Sequence, residues 1–462
     1  MADKNQYPNP FQNILFPNIF RSFRLAIHPT KLMIAFVAIA VICLSGWVMD
    51  AINPSVAAVV ENDTVTSTEL QIYIESPAEA EVFIEDSKDS HQRTGVFECL
   101  WRFTASHFHF ALASLFAFDL AGFTVNVAEC FGALRWAVKY HLLYSIVFFA
   151  IMLAALSIAG GCLCRIAALQ LAQGEKPALS KAISYSVKRF LSFFTAPLTP
   201  LVIIVFIGLF VFILGLIANI PYVGELIMGV SMPLALIGGT IITVILVGVV
   251  AGFILMFPAI AYDGSDAFDS ISRAFSYIYA RPWKMGFYVA VATVYGSICY
   301  WVVRLFGFLL IWVPHRLVDY GVFAANPEGG DKLHAMWPEP EFMNFLGSAQ
   351  SAPSAWTQTV ASFLVFISVL AVIGLLAAFI ASFCFSASTV IYALLRKQVD
   401  NTPIEDIYIP RTEEFQPSPE KDTEEMPAET QAEEAAEQAD DESPPEKDSQ
   451  QADQNRSDHS ES

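Results

Sequence analysis

Long apolar runs without a single charged residue are the feature that most constrains this chain. Residues 32–49 and 142–164 form two such runs, of 18 and 23 residues. Four further ones cover residues 190–224, 226–262, 285–303 and 342–395. A helix needs about 20 apolar residues to cross a hydrocarbon core of ~30 Å. A closed barrel would need a period-two alternation that these runs lack. The sequence therefore predicts an all-α, multi-pass integral membrane protein.

The negative charge of the chain is concentrated at its C-terminal end. Residues 401–462 hold 20 acidic and 4 basic side chains, a net charge of −16, which leaves −3 of the total of −19 for the other 400 residues. A segment so acidic and so poor in apolar residues cannot bury enough surface to offset the entropy lost on ordering. We expect residues 401–462 to be a disordered acidic tail, which is either simply solvated or docks on a protein partner.

The apolar runs predict six transmembrane helices. Proline is common at helix starts and cannot donate a backbone hydrogen bond, so the prolines serve as boundaries. Pro197 and Pro200 are expected just before the third span, and Pro221 and Pro233 on either side of the turn to the fourth. The predicted spans are residues 32–50, 142–164, 201–220, 233–258, 285–306 and 359–383.

Basic residues in the short connecting segments predict the orientation of the spans. With six spans, the segments rich in lysine and arginine all fall on one side, which is then cytoplasmic. Both termini, including an interfacial segment 1–31, are therefore predicted on the cytoplasmic face of the cell (inner) membrane, although Arg135 and Lys139 count against this. A basic residue near an anionic membrane contributes ~1 kcal/mol. The predicted headgroup contacts are Arg21, Arg24, Lys31, Lys181, Lys188, Arg189, Arg273, Arg281 and Lys284.

The segment between the first two spans, residues 51–141, is predicted to be a small extracytoplasmic cap. Two β-like stretches, Glu69–Ile74 and Glu81–Glu85, lie in its polar first half. Residues 95–140 are aromatic and amphipathic, which is typical of helices that lie on the lipid interface. A ligand-binding cap is the alternative interpretation.

Two of the seven cysteines, Cys99 and Cys130, lie in this predicted cap and form a possible disulfide. Such a bond would stabilise the fold by roughly 3–4 kcal/mol in the chain-entropy model. The alternative is two unpaired thiols packed in the cap, since a disulfide requires Cα atoms within about 7 Å. The other five cysteines lie within or at the ends of apolar runs and are expected to pack as small hydrophobic residues.

Two basic segments match each other without gaps. Residues 179–189, LSKAISYSVKR, and residues 271–281, ISRAFSYIYAR, are identical at five of eleven positions. Because each copy lies between two spans on the same side, the repeat is parallel and relates spans 2 and 3 to spans 4 and 5. A fainter third copy precedes the first span, where HPTK at 28–31 echoes RPWK at 281–284. Convergence explains that echo as well as duplication does.

These segments carry a resemblance to known membrane domains. The stretch FPAIAYDGSDAFDSISRAFSYIYARPWK, residues 257–284, resembles the membrane domain attached to some glycerophosphoryl diester phosphodiesterases. GGCLCRIAALQLA and FLSFFTAPLTP, residues 160–172 and 190–200, are similar to uncharacterised, planctomycete-like multi-pass membrane proteins. The resemblance covers roughly residues 20–400. It implies a bacterial membrane protein, and no catalytic residue is implied, because the chain contains no soluble phosphodiesterase domain.

Sequence motifs of catalysis, cofactor binding or metal binding are not found, and no nucleic-acid partner is expected. A Walker loop, a nucleophile elbow and an HExxH helix are all absent. His107 and His109 form an HxH pair, but positions two apart on a helix point away from each other, which disfavours a shared metal ion. Cys162 and Cys164 are expected to pack between helices. Arg304 is expected at the outer interface, with its charge extended to the headgroups.

Three functions remain compatible with this sequence. The first is a non-enzymatic membrane protein that organises or responds to the bilayer. The second is a transporter or lipid-handling protein, with a cavity between the repeats and a path lined by Tyr295, Ser297 and Tyr300. The third is a membrane-embedded enzyme that uses the histidines of the cap.

Overall fold

The chain folds into a bundle of long helices with one small β-sheet. The computed structural model describes residues 16–61, 64–87, 93–325, 330–348 and 355–409. Six helices in this part are long and apolar enough to cross a membrane, as the sequence predicts. With helices numbered in chain order, they are α2 (Pro29–Ile52), α7 (Leu142–Ala172), α9 (Phe190–Ile217), α10 (Val223–Asp263), α12 (Pro282–Ala325) and α14 (Trp356–Val399).

Shorter elements complete the fold up to Tyr408, where one structural unit ends. A 3₁₀ helix, Phe16–Phe20, begins the described chain. The short helices are α1 (Arg21–Ala26), α3 (Glu69–Glu75), α4 (Pro77–Asp86), α5 (Val96–Phe116), α6 (Leu120–Tyr140), α8 (Leu179–Lys188), α11 (Ala267–Ala280) and α13 (Gly330–Met336). The strands are β1 (Val56–Glu61), β2 (Thr64–Thr68) and β3 (Arg93–Thr94).

Prolines do not mark the span boundaries as the sequence predicts. Pro197 and Pro200 lie inside α9, and Pro233 lies inside α10. The predicted starts at residues 201 and 233 are therefore wrong, and Pro221 alone of these four falls in the turn between the two helices. Membrane helices tolerate internal proline because local adjustments satisfy the backbone groups that it frees.

Three spans run in one direction and contact one another at the centre of the bundle. These are α7, α10 and α14, and Gly160 of α7 lies against Phe257 of α10 and Phe385 of α14. The other three run the opposite way and pack outside them: α9 on α10 and α7, α12 on α14, and α2 on α14 and α7. Glycine at 160 lets the three inner helices approach closely, in the way that small residues do in membrane bundles.

A short helix packs on each of the three inner spans. α8 lies on α7 and α11 lies on α10, while α1, from the opposite end of the chain, lies on α14. Ile19, Ser22 and Ala26 are fully buried, and Ser382 of α14 donates a hydrogen bond to the carbonyl of Ala26 over 2.8 Å. Residues 16–31 thus pack small and apolar side chains on the bundle while Arg21 and Arg24 are exposed, and their predicted position on the lipid interface stays a prediction. Residues 1–15 lie outside the described chain.

The segment between the first two spans contains both the sheet and four helices. The strands pair antiparallel in the order β2-β1-β3, so the all-α prediction misses a small sheet. The two β-like stretches are helices instead, because Glu69–Ile74 falls in α3 and Glu81–Glu85 in α4. A capping box formed by Thr68 and Gln71 starts α3, and Pro77 starts α4.

Helices α5 and α6 form a hairpin whose base is held by hydrogen bonds to α2 and α3. Asp50, in the last turn of α2, accepts hydrogen bonds from the backbone N–H groups of Phe97 and Glu98 at 3.1 and 3.0 Å. This carboxylate therefore caps the N-terminus of α5, where the helix dipole favours negative charge. Trp136 of α6 donates to Glu69 of α3 over 3.0 Å. The hairpin packs well on α2 and α7 but only sparsely on α12 and α14.

The chain after α14 turns back onto the end of α10. Arg165 donates to the carbonyl of Tyr408 over 2.8 Å, and the backbone N–H of Tyr408 donates to the carbonyl of Tyr262 over 3.0 Å. Ile407 is buried. The prediction of a disordered tail over 401–462 is therefore wrong for residues 401–408, whose backbone is bound by side chains and helix ends. The acidic residues beyond position 410 lie outside the described chain.

Candidate ligand-binding cavity

A cavity of about 620 Å³ lies between the α5–α6 hairpin and the spans α12 and α14. We refer to it as the apolar cavity. Each of the four helices contributes one face, since its lining residues are three or four positions apart. On α6 they are Phe123, Asn126, Val127, Cys130, Phe131 and Leu134, and on α12 they are Val289, Ala292, Thr293, Gly296, Ser297 and Tyr300. The volume falls within the ~300–1,000 Å³ of small-molecule sites.

The two walls of the apolar cavity differ in how well they are packed. On the hairpin wall, Phe131 is 62% exposed and Leu134 is 43% exposed. On the opposite wall, Ala292, Ser297 and Tyr300 are buried. The hairpin therefore presents large apolar side chains to a space that the described part of the chain does not fill. The lining is mostly apolar, so it offers little to ordered water, which needs two to four polar partners.

A contact between a histidine and a carboxylate, and a thiol, lie on the hairpin wall. Nε2 of His107 lies 2.8 Å from Oε2 of Glu129, and Cys130 follows directly on the cavity face. Burial, and after it the charge of Glu129, raise the pKa of the Cys130 thiol. A thiol held in its protonated form is a poor nucleophile, so this neighbourhood does not favour cysteine chemistry.

A second cavity, of about 340 Å³, adjoins the first. We call it the polar cavity, because His109, Arg304 and Asn344 line it. Thr104, Phe108, Tyr300 and Ile380 line both cavities and separate them. The two spaces are thus neighbours along the same gap between the hairpin and the spans.

Arg304 is the centre of the polar cavity and is 5% exposed. Its guanidinium donates to the backbone carbonyls of Phe342, at 3.1 and 2.9 Å, and of Met343, at 3.0 Å. Nη1 also donates to the hydroxyl of Tyr300 and to Nε2 of His109, at 2.8 and 2.9 Å. The prediction that Arg304 extends to the lipid headgroups is therefore wrong, because the carbonyls of the 342–343 segment fold over it.

His109 is neutral in this arrangement. Arginine can only donate, so Nε2 of His109 must accept the hydrogen bond from Arg304. Burial, and secondly the positive charge of Arg304, lower the pKa of His109 to about 4 from its ordinary value of 6.5. The polar cavity therefore holds one positive charge, on Arg304, at neutral pH.

The predicted disulfide between Cys99 and Cys130 does not form, and both cysteines are free. His107 faces Glu129 across the hairpin, and in an antiparallel pair this register places Cys99 opposite a residue near 137. Cys130 is then seven residues away along the hairpin, about 10 Å at 1.5 Å per residue, which exceeds the disulfide limit. Burial raises the pKa of Cys99 to about 12.

The predicted headgroup residues divide into two groups. Lys31 is fully buried and donates to the hydroxyl of Ser386 over 3.2 Å, so its prediction is wrong. Arg189 donates to the carbonyls of Gly264 and Ser265, and Arg273 pairs with Asp263 and Asp269. Protein oxygens therefore bind these two cations in place of the predicted lipid phosphates. The side chains that are exposed are Arg21, Arg24, Lys181, Lys188, Arg281 and Lys284.

The HxH pair does not converge on a common point. His107 faces Glu129 and His109 faces Arg304, as expected for two positions on different sides of a helix. Within the described residues, no group of three His, Cys, Asp or Glu side chains is arranged to hold a metal ion. Cys162 and Cys164 are fully buried between helices, as the sequence predicts.

Sequence reasoning found part of this site. Ser297 and Tyr300 line the apolar cavity as predicted for a ligand path, but Tyr295 does not, since its hydroxyl donates to the carbonyl of Phe20. The hairpin wall was missed, although apolar residues three and four apart in residues 123–134 indicate a second ligand-facing surface. The role of Arg304 depends on the distant 342–343 segment, which no local pattern connects to it.

Comparison with known proteins gives no match: neither a protein-family model, nor a curated protein, nor a solved structure resembles this chain. The resemblance to phosphodiesterase-associated and planctomycete-like membrane domains therefore stays a prediction.

Proposed function

We propose that this protein is a non-enzymatic, lipid-handling membrane protein that holds an acyl chain in the apolar cavity. The observation that carries the proposal is the space of about 620 Å³ between the hairpin and α12–α14, lined on its α6 side by exposed apolar side chains such as Phe131 and Leu134. In a bilayer, the apolar molecules present at high concentration are lipid chains. An apolar space beside the spans is filled by such a chain rather than by water.

The attachment of the hairpin supports this proposal. Asp50 and Glu69 fasten its base, whereas its contacts with α12 and α14 are sparse and include the ring of Phe108 against Tyr300 at 5.4 Å. A hairpin that is fixed at one end and loosely packed at the other can admit a ligand by a small hinge movement. A purely structural hairpin would gain stability from closing onto the spans, since each buried large apolar side chain contributes about 1.5–3 kcal/mol.

The parallel repeat belongs to the same proposal. Tyr185 and Tyr277 occupy equivalent repeat positions, both are buried, and each donates its hydroxyl to the end of a neighbouring inner span, at Ile260 and Asp400 respectively. The packing of α1 on α14 supports a third unit that is split between the two ends of the chain. We infer a bundle of three similar units, with the hairpin as an added element on one side.

The remaining features of the proposal concern location and partners. We propose an inner-membrane location with cytoplasmic termini, an extracytoplasmic segment 51–141, and headgroup contacts through the six exposed basic residues Arg21, Arg24, Lys181, Lys188, Arg281 and Lys284. The acidic tail is proposed to be solvated or to bind a protein partner. Nucleic acid is not proposed as a partner.

Filling the apolar cavity tests the proposal. Ala292 lines the cavity and is buried, so Ala292→Phe is expected to displace a bound chain. Binding would be followed with a fluorescent acyl-chain probe added to the purified protein. A loss of about tenfold in affinity is expected, which corresponds to ~1.4 kcal/mol.

Ala290→Phe is the matched control, because Ala290 lies two residues away on α12 and is exposed on another face. It adds the same side chain outside the cavity and is expected to leave the affinity unchanged. Equal affinities of the wild type and of Ala292→Phe would contradict the proposed function, as would a complete lack of probe binding by the wild type.

A further inference from the structure

The charge of Arg304 is not balanced by the groups that bind it. Its hydrogen-bond partners are backbone carbonyls, a tyrosine hydroxyl and a neutral histidine. No carboxylate forms an ion pair with Arg304 in the described part of the chain. A cation that is removed from water without a counter-ion is costly. Within membrane spans such residues usually mark a site that binds something.

The position of this charge relative to the apolar cavity suggests what it binds. Arg304 lies one helical turn beyond Tyr300 on α12, and Tyr300 lines both cavities. An acyl chain that occupies the apolar cavity would therefore have its polar end next to the polar cavity. The second cavity, of about 340 Å³, has room for a compact headgroup.

We propose that the polar cavity receives the anionic headgroup, a phosphate or a carboxylate, of the amphiphile whose chain occupies the apolar cavity. This inference rests on the proposed function and adds the class of ligand. Arginine is well suited to the role, because its planar guanidinium binds phosphate and carboxylate oxygens in pairs. An anion at this point would compete with the carbonyls of Phe342 and Met343, which are neutral acceptors and thus weaker partners.

The neighbours of Arg304 favour an anion over a cation or a neutral group. Neutral His109 holds Nη1 in place without cancelling the charge. Apart from Arg304, the ionisable side chains that line the polar cavity within the described chain are that same histidine and Tyr300, and no carboxylate is among them. The carboxylate of Glu129, on α6, contacts His107 instead.

Three probes distinguish an anionic amphiphile from a neutral amphiphile and from a free anion. They are dodecyl phosphate, dodecanol with the same chain, and inorganic phosphate. Each would be added to the full-length protein in an uncharged detergent, and apparent affinity would be read from the rise in melting temperature with probe concentration. The wild type is expected to bind dodecyl phosphate at least about tenfold more tightly than dodecanol, as one charge-assisted contact implies. Inorganic phosphate alone is expected to have no effect.

Arg304→Gln is expected to abolish the preference for dodecyl phosphate while dodecanol binding is kept. Arg316→Gln is the control, because Arg316 lies on the same helix but pairs with Glu339, and it is expected to keep the preference. If Arg304→Gln does not fold, the wild type decides the question by itself. Equal binding of the two amphiphiles would overturn the headgroup site and leave the proposed function standing. Binding of neither amphiphile would overturn both the headgroup site and the proposed function. Binding of inorganic phosphate as tightly as dodecyl phosphate would rule out an amphiphile as the ligand.

Discussion

Arg304 donates a hydrogen bond from Nη1 to Nε2 of His109 over 2.9 Å, and this contact links the hairpin to the span that faces it. The same guanidinium binds the carbonyls of residues 342 and 343. Three separate parts of the chain therefore meet at one buried charge. His109, Arg304 and Met343 all line the polar cavity, so this contact lies directly in the gap between the hairpin and α12.

Lowering the pH is expected to weaken the fold through His109. Its pKa is about 4 in the folded protein, against an ordinary value of 6.5, so between these values the unfolded chain binds the additional proton. Stability is unaffected above pH 6.5, falls as the pH drops to about 4, and then levels off. Melting temperatures across this pH range, measured for the wild type and for His109→Gln, test this. Identical pH profiles would show that His109 is not the group involved.

Adding a methyl group at Gly160 is expected to destabilise the centre of the bundle. A Cβ atom there would lie 2.6 Å from the ring of Phe385 and 3.1 Å from that of Phe257, so Gly160→Ala should cost about 1–3 kcal/mol. Gly239→Ala is the matched control within a helix, because a Cβ atom at 239 has nothing within 4 Å. It should be neutral or stabilising, by up to about 1 kcal/mol from helix propensity. Thermal unfolding in detergent compares the two, and a Gly160→Ala variant as stable as the control would contradict the close packing.

Two truncations are expected to have different effects. A chain that ends after Pro410 keeps the contacts of Ile407 and Tyr408, and should be as stable as the full chain. A chain that ends after Thr402 loses the acceptor of Arg165 at Tyr408 and the acceptor of Arg396 at Asp406, at about 1–3 kcal/mol for each unsatisfied group. Melting temperatures distinguish them. A large loss already in the longer truncation would mean that the acidic tail docks on the folded unit.

The orientation of the spans is tested with reporter fusions. We expect a reporter after Asn401 to lie in the cytoplasm and one inserted within residues 60–90 to lie outside, because the basic residues cluster on one side of six spans. Activity of both reporters on the same side would overturn the six-span topology.

Hydropathy was sufficient to predict the number of spans, because the need to satisfy backbone groups in lipid leaves few alternatives. It could not predict which charged side chains are buried and which are exposed. Lys31 and Arg21 look alike in sequence, yet Lys31 is buried against Ser386 while Arg21 is exposed. The difference arises because the first turn of α2 packs against α14, and that contact joins residues more than 350 positions apart.

The candidate site was predictable only on its α12 side. Ser297 and Tyr300 are polar residues in an apolar span, and the sequence therefore indicates them as candidates for a ligand path. The hairpin wall consists of apolar residues that are equally compatible with a surface helix, and its position depends on Asp50 capping α5 from the preceding span. Local patterns do not carry such long-range contacts.

A lipid with a photoreactive acyl chain, incorporated into vesicles with the protein, tests the central claim most directly. After irradiation, the labelled peptides are identified by mass spectrometry. Occupancy of the apolar cavity predicts labels on the facing walls, at residues 127–134 of α6 and 289–297 of α12, and predicts their loss in Ala292→Phe. Labels that are confined to the exposed outer surface of α9, such as Val205 and Phe206, and that do not change in Ala292→Phe would contradict it.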